Sequence, residues 1–149
     1  MNARALALKT GAVLADLLSQ HAFGNRPVTL VGYSLGALVI FEALLHLATL
    51  PLSQMAHLIQ DVYLFGTPVS THPTPWTAVR RVAAGRVLNG YSTRDWVLGV
   101  VCRISEATTD VAGIQSVDHV KGIENVCCDE DVEGHTQWKN VIAKHVLIH

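Results

Sequence analysis

At 149 residues the chain is long enough for one domain with a real core and short for two. Half of its residues are hydrophobic and 15% are charged, a balance that excludes a disordered segment. The formal net charge of −1 leaves no basic excess to draw it to nucleic acid or to an anionic membrane.

Residues 3–22 repeat Leu6, Val13, Leu14, Leu17 and Leu18 at helical spacing, and Gly24-Asn25-Arg26-Pro27 ends the predicted helix. Lys9, Thr10 and Gly11 interrupt its apolar run, so the N-terminus lacks the core of a signal peptide. Val28 to Val31 is a short, uniformly apolar strand, the pattern of a strand buried on both faces. A helix from Leu35 to about Leu50 follows, apolar nearly all round, and Pro51 stops it. The stretch from Leu35 to Leu52 contains Glu42 and His46 and reads as a buried helix, not a membrane span.

Asp61 to Phe65 is a second buried strand, closed by Gly66-Thr67-Pro68. A proline-rich loop from Ser70 to Pro75 precedes a helix predicted from about Trp76 to Ala84, and Arg80, Arg81 and Arg86 read as a solvated helix face. Arg86 to Tyr91 is a third strand, ending at Ser92-Thr93-Arg94-Asp95. Trp96 to Ile104 reads as a short helix, and two more strands are expected at Ala112 to Val117 and Ile123 to Cys127. An acidic loop, Asp129 to Glu133, leads through Gly134-His135 into an amphipathic helix from Thr136 to about Val146. Strands alternating with helices over this length predict a parallel, three-layer α/β sheet.

Gly32-Tyr33-Ser34-Leu35-Gly36 sits between the first strand and its helix, the context in which G-x-S-x-G marks a nucleophile elbow. The tight turn requires a strained backbone at Ser34 and small residues at Gly32 and Gly36. The Leu35 N–H, at a helix start, would give a developing oxyanion one donor, worth roughly 3 to 4 kcal/mol when well placed. The plainer alternative makes Ser34 an ordinary helix N-cap.

Asp95 and His135 follow in the order serine, acid, histidine, each just after a predicted strand or in the loop beyond it. In a parallel sheet those positions project from one edge. A serine hydroxyl needs a base to take its proton, the role of His135, and the imidazole needs an acid to hold its tautomer, the role of Asp95. Asp110, Asp129 and Asp131 compete for the acid role. Asp129 and Asp131 share a short loop with His135, and Asp110 has no strand directly before it, so Asp95 is preferred. The three cysteines, Cys102, Cys127 and Cys128, form no C-x-x-C pattern and read as reduced thiols of an intracellular compartment. The eight histidines show no metal-binding spacing, and no cofactor or metal is implied.

Three longer stretches carry a resemblance. They are Arg26 to Gly36, Asp61 to Val69, and Gly85 to Tyr91 with Asp95-Trp96; Val111-Ala112-Gly113 and Glu133-Gly134-His135 add to them. Together they resemble the C-terminal half of the α/β-hydrolase-like domain in the transmembrane and coiled-coil domain-containing protein 4 family. Gly66-Thr67-Pro68 is also similar to a turn of bacterial lipases, whereas Cys127-Cys128 departs from the family's polar residues. The resemblance implies a lipase- or esterase-like hydrolase carried on a longer, membrane-anchored chain.

That fold places further strands and a second oxyanion donor upstream of the serine, where Met1 to Pro27 read as one helix. Residues 1–149 are therefore expected to form a partial α/β-hydrolase domain lacking its N-terminal strands, its sheet ending at the Val28 strand. Two readings follow. One is a serine hydrolase acting on a small-molecule or lipid ester through an acyl-enzyme, with activity reduced or lost in this chain alone because its oxyanion hole is incomplete. The other is a non-catalytic module that binds a protein through the exposed sheet edge or its Trp-bearing loops.

Overall fold

A computed structural model describes residues 2–106 and 110–146. Helix α1 (Ala3–Ser19) starts at the cap of Asn2, whose side chain accepts from the Ala5 N–H. Strand β1 (Val28–Tyr33) leads through Ser34 into α2 (Leu35–Leu47). The short α3 (Leu52–Met55), β2 (Ile59–Phe65), α4 (Pro73–Val82) and β3 (Val87–Tyr91) follow. Helix α5 (Trp96–Glu106), β4 (Ile123–Cys127), a single 3₁₀ turn (His135–Gln137) and α6 (Lys139–Val146) complete the order.

The four strands form one parallel sheet in the order β1-β2-β3-β4. Register divides the side chains between its two faces. Leu30, Val62 and Val87 point to one face and join the core with α1, α2 and α4. Tyr63, Phe65 and Leu88 point to the other and pack with Trp138 and Val141. The architecture is thus the three-layer α/β arrangement that the alternating pattern predicts. Helix α2 lies deepest, with Ala37, Leu38, Phe41, Ala43, Leu44 and Leu47 all but inaccessible to water. An apolar circumference can be satisfied only between two layers, and α2 is enclosed by α1, α4 and the sheet.

Four expectations are corrected. Strand β1 is not buried on both faces: Thr29, Val31 and Tyr33 alternate outwards, with Val31 37% and Tyr33 40% exposed. Helix α6 covers Tyr63 and Phe65 but not the neighbouring face of β1, and a uniformly apolar run does not encode which faces its neighbours cover. Ala112 to Val117 is not a strand. Ile114 and Gln115 donate to the Val111 carbonyl in a local turn, and Val117 bonds through both its N–H and its C=O to the Asn125 side chain.

Helix α4 begins at Pro73, before Trp76, because proline suits the first helical turn, where an N–H would go unpaired anyway. Arg86 lies outside any helix; it pairs with Glu124 at 2.7 Å and stacks over the Tyr63 ring. Among the described residues no helix is long and apolar enough to cross a membrane.

Leu44→Ala removes a fully buried side chain at the centre of this packing. It should lower unfolding free energy by roughly 2–5 kcal/mol in urea titration, since so enclosed a site collapses poorly onto a void.

Candidate active site

Ser34 sits where β1 ends and α2 begins, with φ 54° and ψ −126°, a backbone that L-residues rarely adopt. Several contacts hold it there. The Ser34 N–H donates to the Phe65 carbonyl at the end of β2 (2.9 Å), and the Ser34 carbonyl accepts from the Leu38 N–H of α2 (3.1 Å). At Gly32 an added Cβ would stand 2.8 Å from Ile40 Cδ1 and 3.0 Å from the Ala37 nitrogen, so the strand end meets the helix only through glycine. Gly36 differs from its expectation: a Cβ there meets nothing within 4 Å, because it faces the open cleft beside Ser34. Tyr33, exposed on the free face of β1, lines the same cleft.

The Ser34 side chain does not cap α2. Its Oγ lies 2.6 Å from His135 Nε2 instead, across 101 residues of sequence. On the far side of the ring, His135 Nδ1 is 2.7 Å from Asp95 Oδ2. An ionised carboxylate only accepts, so Nδ1 carries the proton and donates, leaving Nε2 as acceptor for the serine hydroxyl. Asp95 is fully buried, whereas 26% of the His135 side chain is exposed. The structure therefore brings Ser34, His135 and Asp95 into one hydrogen-bonded row.

Burying a carboxylate is costly unless donors meet it. Asp95 has three: His135 Nδ1 and the Trp138 Nε1–H (2.8 Å) on Oδ2, and the Leu98 N–H (3.1 Å) on Oδ1. The motifs in the sequence do not single out Trp138. The available signal is its spacing, since three residues beyond His135 on a helical turn return to the same side.

The competing acids are engaged elsewhere. Asp131 pairs with Lys144 at 2.9 Å. Asp110 lines a polar cavity with Ser70, His72 and His119, away from Ser34. Asp129 accepts from Ser92 Oγ (3.0 Å), the Thr93 N–H (2.7 Å) and Thr93 Oγ1 (2.5 Å). It thus ties the loop carrying Asp95 to the loop leading to His135. These bonds, the Thr93 hydroxyl foremost, hold its carboxyl below the ordinary carboxylate range.

A cavity of about 460 Å³ opens beside His135 and Leu35, walled by Pro68, Val97, Leu98 and Cys102, with Arg4 at its edge. A second cleft of about 500 Å³ runs from Ser34 along Val31 and Tyr33 to Ile142. Cys102, Cys127 and Cys128 form no disulfide, and burial pushes the Cys128 thiol up to about 12. Among the described residues no cluster of three or more His, Cys, Asp or Glu side chains is placed to hold a metal ion.

A family model described as "Protein of unknown function (DUF726)" matches residues 1–149. The chain is 47% identical over 141 residues to "Transmembrane and coiled-coil domain-containing protein STS1" of Oryza sativa subsp. japonica, covering 95% of this chain and 21% of that protein. It is 40% identical over 139 residues to "Probable lipase MIL1" of Saccharomyces cerevisiae (93% and 13%). It is 39% identical over 140 residues to "Uncharacterized membrane protein F35D11.3" of Caenorhabditis elegans (93% and 22%). The chain spans less than a quarter of the length of these curated relatives. No solved structure matches.

Asp129→Asn tests the tie between the loops. A carboxyl whose folded value is lowered stabilises the fold above its unfolded value, about 3.9, and loses that contribution as pH falls through the lower folded value. Denaturant titrations from pH 6 to 3 should therefore show a smaller acid loss of stability in the variant than in the parent chain.

Proposed function

The chain belongs to the family described as Protein of unknown function (DUF726), and within it we propose that this chain carries the site of a serine ester hydrolase. One observation carries the reading: a serine on a strained strand-to-helix turn directs its hydroxyl to a histidine, not to the helix it precedes. The N-cap alternative requires the opposite. The name of the yeast relative, a probable lipase, adds support.

In the proposed reaction Ser34 Oγ attacks the acyl carbon while His135 Nε2 takes the hydroxyl proton. Charge collects on the former carbonyl oxygen, and the Leu35 N–H at the start of α2 is one donor to it. Asp95 stabilises the imidazolium, and His135 then returns the proton to the departing alcohol oxygen, leaving an acyl group on Ser34. Water repeats the sequence in reverse roles and releases the acid. The substrate class is an apolar, lipid-like or small-molecule ester, on the ground that Leu35, Pro68, Val97 and Leu98 line the cavity beside His135.

The same reading makes residues 1–149 part of an α/β-hydrolase domain, from the nucleophile strand to the C-terminal helix. It places the chain with the transmembrane and coiled-coil domain-containing protein 4 group, in keeping with the name of the rice relative. Membrane attachment would then come from regions of a longer protein, and three cysteines outside any disulfide fit a reducing, intracellular compartment. A second reading, a non-catalytic module that binds a protein at the sheet edge, is favoured by the exposed face of β1, where Val31 and Tyr33 lack cover.

A fluorophosphonate probe, which loses fluoride to a nucleophilic serine oxygen, separates the two. The hydrolase reading expects labelling at Ser34, none in Ser34→Ala, and slowing on the order of 10³-fold or more in His135→Ala and Asp95→Asn. A folded chain that never labels, with Ser34→Ala retaining full partner binding, would favour the module.

A further inference from the structure

We propose that Trp138 is a positioning residue of this site, its indole N–H setting the orientation and charge of the Asp95 carboxylate that holds His135. The assignment rests on the hydrolase reading of Ser34.

The two bonds to Asp95 Oδ2 are nearly equal in length, 2.7 Å from His135 Nδ1 and 2.8 Å from Trp138 Nε1. With the Leu98 N–H on Oδ1, three donors in different directions define the carboxylate plane. A carboxylate bonded to the histidine alone could turn about its own bond and carry the imidazole with it. Charge-assisted bonds of this kind are the stronger ones, and at a carboxylate sealed from water nothing else replaces them.

The chain's other two tryptophans are used differently. Trp76 donates to the Ser70 carbonyl within the core, and Trp96 is 70% exposed. Trp138 is fully buried, and its donor edge is clamped. Gly66, at φ 57°, lies so close that an added Cβ would stand 2.5 Å from Trp138 Nε1. Gly66 directly follows Phe65, whose carbonyl holds the Ser34 N–H. The indole therefore leans on the same strand end that fixes the nucleophile's backbone. A closed circuit results: Ser34, the end of β2, Trp138, Asp95, His135 and back to Ser34 Oγ.

Removing the indole N–H has two consequences. The carboxylate loses a constraint on its plane, which lowers the rate. It also keeps more negative charge for the imidazolium, so the protonated, inactive form persists to higher pH. Charged and titratable side chains around the pair include Arg4 and Cys102, which line the cavity that His135 borders, Asp129, bonded to Ser92 and Thr93, and the chain neighbours Arg94, Glu133 and Lys139. All of these residues are kept in the substitution.

The test replaces Trp138 in the 149-residue chain with β-(3-benzothienyl)alanine, which keeps the ring shape and lacks the N–H. Trp138→Phe serves as a second variant. The fluorophosphonate labelling rate is followed against pH, together with the NMR titration of the His135 ring. The expected result for the isostere is a plateau rate lower by roughly 10- to 100-fold, the scale at which second partners of functional imidazoles act. Its acid limb and its ring titration should move to higher pH together, and the isostere should melt close to the parent chain.

An isostere with parental labelling rate and parental titration would overturn the proposal and leave Trp138 a packing residue. A Trp138→Phe chain that is slow while the isostere is parental overturns it equally. If neither the parent chain nor a folded, longer protein that carries it labels, the hydrolase reading fails. The ring titration then decides alone: a shift in the isostere upholds the control of Asp95 and His135 by Trp138, and no shift removes it.

Discussion

A carboxylate sealed from water must be surrounded by donors, and that requirement at Asp95 organises the C-terminal half of the molecule. Its partners come from the 3₁₀ turn, from the residue just before α6 and from the first turn of α5. The 3₁₀ turn and Trp138 run straight on into α6, whereas α5 lies earlier in the chain, before β4, and shares no sheet ladder with them. Without the buried charge nothing would specify their mutual placement so narrowly, because apolar contacts are not directional. The same carboxylate fixes the tautomer that lets His135 accept from Ser34. One electrostatic constraint therefore shapes both the packing and the hydrogen-bonded row of Asp95, His135 and Ser34.

The second constraint is the strain at Ser34. A positive φ at a residue with a side chain persists only when its surroundings over-determine it. Here the Phe65 carbonyl, the first turn of α2 and the close approach at Gly32 do so together. Strand and helix on either side are well supported, since α2 is enclosed in the main core and β1 pairs with β2 in unbroken register from Leu30 to Tyr33. The strain is thus borne by the best-packed part of the fold. The Ser34 hydroxyl is left pointing at His135, between the cavity beside Leu35 and the cleft along β1.

Elsewhere, side chains do work that a backbone ladder would do in a larger sheet. Asn125 bonds both the N–H and the C=O of Val117, which lets an irregular segment lie beside β4 without becoming a strand. Asp129 gathers three donors from Ser92 and Thr93 and so sets the loop that presents Asp95. Trp138 adds the indole edge against Gly66. Polar side chains at strand ends position this site as much as the strands do.

Much of the architecture is legible in the residue pattern. Local periodicity and turn chemistry depend on neighbours in sequence, so β2, β3, β4, α2 and the elbow at Gly32-Tyr33-Ser34 can be read directly, as can Asp95 and His135 beyond their strands. Proline at a first helical turn and an apolar run with one uncovered face are ambiguous locally, which is why α4 begins earlier than expected and β1 is exposed on one side. Gly36 shows the same limit, since a motif names a glycine without saying whether anything crowds it. The order of the elements and the residue types that could form such a site follow from local pattern alone. Packing between distant segments settles which acid meets His135, that Ser34 turns from its helix to the imidazole, and that Trp138 shares Asp95. Those choices are contacts between residues dozens of positions apart. They depend on how buried charge is compensated once the layers have packed, and no local pattern carries that information.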